Sequence, residues 1–141
     1  MNYSIGEVAE KMNISIHTLR YYDQEGLLPF LERSPNGRRI FHERDIILLN
    51  TIECMKGTGM QLKDIKQYVN WCVEGFSSVP QRYELMLQRK RDVEEQIKNM
   101  NKMLATIDYK CEFYRNSLEL GTTSMCESDR EEWAKEILNQ S

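Results

Sequence analysis

Four arginines crowd residues 33–44 of this 141-residue chain: Arg33, Arg38, Arg39 and Arg44 stand against a single Glu43, a net +3. Guanidinium groups at that density suit phosphate, because each is a planar, permanently charged fork that matches phosphate oxygens. The chain as a whole has the opposite sign. Lys+Arg is 19 and Asp+Glu is 22, a net charge of −3 with a pI of about 5.5. Taken alone, that balance argues against a non-specific nucleic-acid binder. Its placement argues differently: residues 1–75 sum to −1, residues 76–118 to +2 and residues 119–141 to −4. The excess acid lies in the last segment, away from the arginines.

Thiols are the other candidate chemistry. Cys54, Cys72, Cys111 and Cys126 are irregularly spaced and match no common zinc pattern. Met1–Met12 carries Glu7, Glu10 and Lys11 with no apolar signal core, so a cytoplasmic protein with free thiols is expected. The longest aliphatic run, Ile46–Leu49, is far too short to span a bilayer. His17 and His42 are isolated, and there is no P-loop, dinucleotide motif or nucleophile elbow. Neither an enzyme nor a cofactor is expected.

The elements that must position the arginines are well signalled. Ser4-x-x-Glu7 is a capping box with Tyr3 and Val8 as its staple, and Ile5, Val8, Ala9 and Met12 follow at helical spacing. Asn13 suits a left-handed helix end. Ser15 caps a second helix, with Ile14 and Leu19 at staple positions, and Gly26 stops it. Two short helices joined by so tight a turn form a helix-turn-helix over residues 4–25. Ser34-Pro35-Asn36-Gly37, between Leu31 and Ile40, predicts a β-hairpin or wing over residues 30–41 with arginines at its tip. The bland alternatives are a generic helical hairpin and a solvated surface turn; their adjacency favours DNA binding. A third helix is predicted from about Glu43 to Lys56 and a fourth from about Leu62 to Glu74, each apolar on one face.

A fifth helix is predicted to open at Ser78-x-x-Gln81 with Pro80 in its first turn. Its stripe runs Tyr83, Met86, Lys90, Val93, Ile97, Met100, Leu104, Ile107, Cys111, Tyr114, Leu118 at alternating spacings of three and four, polar only at Lys90. That is a coiled-coil seam, and a homodimer through Met86, Val93, Ile97, Met100, Leu104 and Ile107 is expected to cover it. The alternative is a hairpin with the acidic tail, in which Trp133, Ile137 and Leu138 form one face of a short helix. The expected plan is mainly α: a winged helix-turn-helix domain over 1–75, a dimerising coiled-coil helix over 76–118 and a short acidic tail over 119–141.

These residues resemble the MerR family of bacterial transcription regulators over roughly 1–118. The resemblance lies in Tyr3-Ser4-Ile5-Gly6-Glu7-Val8-Ala9, in Thr18-Leu19-Arg20-Tyr21-Tyr22-Asp23 with Gly26-Leu27-Leu28, in Gly37-Arg38-Arg39-Ile40-Phe41 and in Asp45-Ile46. Arg38 and Phe41 stand where the family's wing usually carries tyrosines, and His42 where Ser or Thr usually caps the third helix. The resemblance implies a dimer on a pseudo-palindromic operator in double-stranded DNA. Effector binding would distort the promoter for RNA polymerase. By position it assigns DNA contacts to Ser15, His17, Thr18, Arg20, Tyr21, Tyr22, Arg38, Arg39 and Phe41. Arg20 is suited to guanine and the wing arginines to phosphate.

Family members differ mainly in what they sense. Residues 119–141 are too few for the ligand domain of drug-sensing members. The stretch Ile52-Glu53-Cys54-Met55-Lys56-Gly57-Thr58-Gly59 resembles the thiol- and aldehyde-responsive (AdhR/NmlR-like) branch. That resemblance implies Cys54 as the effector-sensing residue. By residue chemistry alone Cys54 could equally be a packing residue at a helix end, where the dipole disfavours a thiolate. The alternative signal is a soft metal held by Cys111 and Cys126; no metal site is otherwise expected.

Overall fold

A computed structural model describes residues 1–124 and 127–140. The chain order is α1 (Ile5–Met12), α2 (Ile16–Gln24), β1 (Glu32–Arg33), β2 (Arg39–Ile40), α3 (Glu43–Gly57), α4 (Leu62–Glu74), a 3-10 turn (Gly75–Ser78), α5 (Val79–Leu120) and α6 (Glu127–Asn139). It divides into a head, Met1–Glu94, and a second compact unit that begins at Glu95.

Local signals build the start of the head. The Ser4 hydroxyl accepts from the Glu7 amide at 3.2 Å, and the Glu7 carboxylate accepts from the Ser4 amide at 2.7 Å. Those bonds hold the Glu7 carboxyl below its usual range. Asn13 adopts the left-handed conformation (φ 54°, ψ 44°) that closes α1. Ser15 then caps α2 through the Thr18 amide at 3.0 Å, completing the helix-turn-helix.

The wing is a two-stranded hairpin pairing Glu32 with Ile40 and Arg33 with Arg39. Its turn needs a glycine at Gly37, which has a φ of 82°. A further bridge joins Tyr3 to Phe41 through reciprocal amide–carbonyl bonds of 2.9 Å. The amino-terminal residues therefore act as a third edge beside the wing. At α3, Asp45 is buried and accepts from the His42 amide at 2.8 Å. The His42 ring turns instead to Glu32, 3.1 Å away.

One core holds these parts together. Val8, Leu19, Leu27, Phe41, Leu49, Ile52, Ile65 and Val69 each retain no more than 2% of their surface. Burying such side chains contributes about 1.5–3 kcal/mol each. Met86 of α5 packs on this same cluster. Part of its side chain is thus already covered by its own head.

Two other local expectations give way to tertiary contacts. Ser78 does not cap α5. It is buried, its hydroxyl donates to the Trp71 and Gly75 carbonyls, and it accepts from Arg82 Nε at 3.1 Å. The acidic tail is helical, and Trp133 stacks on Tyr109 of α5 with centroids 3.9 Å apart and planes 15° apart. One tryptophan supplies an anchor that a count of apolar tail residues undervalues. No helix among the described residues is long and apolar enough to cross a membrane.

Candidate nucleic-acid interface

The outward face of α2 carries Arg20, His17 and Tyr21, all exposed, with Thr18 half-buried. No salt bridge engages Arg20 among the described residues. Its guanidinium is available as a forked donor. Ser15 is exposed, but its hydroxyl is used in the cap and lies 2.8 Å from the Thr18 hydroxyl.

Tyr22 and Phe41 do not belong to this face. Tyr22 is 2% exposed; its hydroxyl donates to Glu53 and lies 3.3 Å from Lys56 Nζ. Burial and then the Glu53 bond push its hydroxyl pKa well above the ordinary value. Phe41 is fully buried. Motif position suggests DNA contacts for both, but the Tyr3 bridge and the α2–α3 contact place their side chains in the core.

The wing arginines divide three to one. Arg44 donates at 2.9 Å to the Phe30 carbonyl and at 2.9 Å to Glu32. Arg39 Nε donates to Asp23 Oδ2 at 2.7 Å, and Arg33 donates to the same oxygen at 2.9 Å. Arg33 also reaches the Gly37 carbonyl at 3.1 Å. Arg38 is exposed at the tip, with no side-chain hydrogen bond or ion pair among the described residues. Among the described residues the basic patch thus offers one free cation at its apex, while the others hold the hairpin to α2 and α3.

Of the thiols, Cys54 is exposed on α3, Cys72 is half-buried on α4 and Cys111 is exposed on α5. Burial and Cys72 push the neighbouring Tyr68 hydroxyl up to about 12. Cys126, proposed with Cys111 as a metal pair, lies outside the described residues. Among those described, no three His, Cys, Asp or Glu side chains gather to hold a metal ion.

The turn bearing Cys54 is tied on two sides. Glu53 and Lys56 flank it in sequence and hold Tyr22 of α2. The Thr58 amide bonds the Cys54 carbonyl at 3.1 Å, and Arg89 of α5 donates to the Thr58 carbonyl at 2.7 Å and hydroxyl at 2.6 Å. A guanidinium is favourable against the negative end of a helix. Sequence reasoning missed Glu53, Lys56 and Arg89. The i,i+3 spacing of Glu53 and Lys56 was the available signal; nothing local pointed to Arg89.

The family described as "MerR HTH family regulatory protein" matches residues 3–70. An uncharacterised HTH-type transcriptional regulator of Haemophilus influenzae is 38% identical over 122 residues, 86% of this chain and 90% of the relative. The chain belongs to the MerR family. Among solved MerR structures, HiNmlR, a regulator lacking the sensor domain and bound to promoter DNA, superposes with a TM-score of 0.82. It is 37% identical, covering 87% of this chain and 93% of the other. A MerR regulator from Bacillus thuringiensis is 41% identical with a TM-score of 0.74, covering 79% and 98%. Bacillus subtilis AdhR is 32% identical over 92 residues, 64% of this chain and 66% of AdhR. This MerR protein is a DNA-binding transcriptional regulator, not an enzyme.

Proposed function

We propose that this regulator works as a homodimer on a pseudo-palindromic operator, activates by distorting the promoter for RNA polymerase, and responds to electrophiles through Cys54. Arg20, His17, Thr18 and Tyr21 present α2 to the major groove, and Arg38 meets phosphate from the wing. HiNmlR bound to promoter DNA and the free state of Arg38 support the DNA reading. If Arg38 engages phosphate, Arg38→Ala should weaken operator binding roughly tenfold and flatten the slope of log K against log salt by about one per protomer. A titration in which affinity and slope are both unchanged removes Arg38 from the interface.

The observation that carries the sensing reading is the position of Cys54: an exposed thiol on a helix end bonded both to α2 and to α5. An aldehyde would add there by forming an S–C bond, with the thiol proton ending on the carbonyl oxygen. The adduct enlarges an exposed side chain, and on the dimer reading the end of α3 shifts against the partner's coiled coil. Glu53 and Lys56 pass that displacement to Tyr22, and Thr58 passes it to Arg89. Cys54→Ser should abolish aldehyde-induced transcription while operator affinity stays within about twofold, an energy change well below 1 kcal/mol. Cys72→Ser and Cys111→Ser should leave induction intact. Induction of the Cys54→Ser protein to the wild-type level sinks the assignment.

A further inference from the structure

We propose that Asp23 is a specificity-determining positioning residue: it withholds Arg33 and Arg39 from DNA phosphates while locking the wing to the recognition helix. Three observations converge on this carboxylate. The hairpin register sets Arg33 directly opposite Arg39, and like charges facing across a strand pair are destabilising unless something intervenes. Asp23 Oδ2 is that intermediary, accepting from both guanidinium groups at 2.9 and 2.7 Å. Asp23 also sits in the last turn of α2, where a carboxylate is disfavoured by the helix dipole. Its placement therefore costs α2 locally and is offset only through the wing.

The arrangement is partly shielded from water. The Asp23 side chain is 19% exposed and that of Arg39 17%, against 51% for Arg33. A shielded bridge of this kind holds its geometry better than a surface pair. Two consequences follow. The recognition helix and wing move as one piece, so a base-reading pose of α2 fixes where Arg38 lands. One carboxylate offsets one of these two positive charges and engages both guanidinium groups, which lowers sequence-independent attraction to DNA without touching base contacts. Specificity is the ratio of these two affinities, so reducing the non-specific term raises it.

This inference rests on the wing facing DNA, which the Arg38→Ala titration tests by itself. The experiment for Asp23 is fluorescence anisotropy over a range of salt. One duplex is selected from a random pool for tight binding; the other has scrambled sequence. Asp23→Asn should tighten binding to the scrambled duplex and steepen its salt slope by up to about two per protomer. The ratio of selected to scrambled affinity should fall tenfold or more. Asp23→Glu should restore most of the wild-type slope. Combining Asp23→Asn with Arg33→Gln and Arg39→Gln should return the slope to the wild-type value, because no cations are left to unmask. Thermal unfolding of each variant monitors the fold. If Asp23→Asn lowers both affinities in proportion at unchanged slope, Asp23 is only a structural tie and the proposal is overturned. An unchanged ratio and slope overturns it equally. Should Asp23→Asn fail to fold, Arg33→Gln decides alone: removing an arginine already withheld leaves the scrambled-duplex slope unaltered, whereas a flatter slope shows Arg33 in contact with phosphate and refutes the withholding.

Discussion

Phe41→Ala should destabilise the head by about 3–5 kcal/mol, the range for truncating a buried aromatic to alanine. Whole domains of this kind are stable by only about 5–15 kcal/mol, so the variant loses a large share of its margin. The expectation comes from position. Phe41 is among the largest fully buried side chains, and its amide and carbonyl are both tied to Tyr3 at 2.9 Å. The bridge keeps the backbone in place after truncation, so the neighbouring side chains cannot collapse into the void. Denaturant unfolding is the measurement, with the midpoint falling at little change in slope. Operator affinity of the fraction still folded should hardly change. A phosphate-facing Phe41 predicts the reverse: normal unfolding and weaker binding. A stability loss under about 1 kcal/mol, far below that range, would show that Phe41 is not a core residue.

The case of Phe41 marks the boundary between what was legible in the chain and what was not. Signals confined to a few residues transferred well. The Ser4–Glu7 box, the Asn13 helix end, the Ser15 cap and the Asn36-Gly37 turn all form where local chemistry puts them. The limits of α4 were equally plain, because apolar spacing and Gly75 together define it. Side-chain direction was less readable wherever a distant segment decided it. Position in the motif placed Tyr22 and Phe41 together with Arg20 and Arg38. Only the meeting of α2 with α3, and of Tyr3 with the wing, turns the two aromatics inward. Ser78 shows the same competition. The spacing to Gln81 suits a cap, yet the carbonyls of Trp71 and Gly75 take the hydroxyl once α4 ends beside it.

The sign of the wing's charge is legible in the sequence; its availability is not. Four arginines near one turn gave a basic wing, but counting charges could not show that Asp23 and Glu32 engage three of them. In the sequence Asp23 is only one more residue of the recognition-helix motif. Its meaning depends on the hairpin register, since that register brings Arg33 and Arg39 to one carboxylate. Likewise, Cys54 offers no local reason for reactivity. What distinguishes it from Cys111, which is also exposed, is that its helix end is bonded to both α2 and α5.

Ile97→Asp combined with Leu104→Asp should convert the proposed dimer into a monomer and reduce operator affinity by at least about a hundredfold, the low end of what bivalent attachment contributes. On α5, Ile97, Met100, Leu104 and Ile107 are 55%, 64%, 52% and 58% exposed. An exposed apolar row at alternating three- and four-residue spacing suits a coiled-coil face, the seam of the proposed homodimer. Two-fold symmetry would double each substitution, placing four carboxylates in the seam, where unpaired charge is strongly disfavoured. The core residues of the head precede these positions in the chain, so its unfolding should be little affected. Light scattering then separates the outcomes, with a mass of 16.8 kDa for the monomer. Asn99→Asp is the control: it adds acid at an exposed position off the stripe and should leave the dimer intact. Half-sites should still bind the double variant weakly, because α2 and the wing are unchanged. A double variant that stays dimeric and keeps full affinity would rule out this stripe as the interface and remove the geometric basis for reading a two-fold operator.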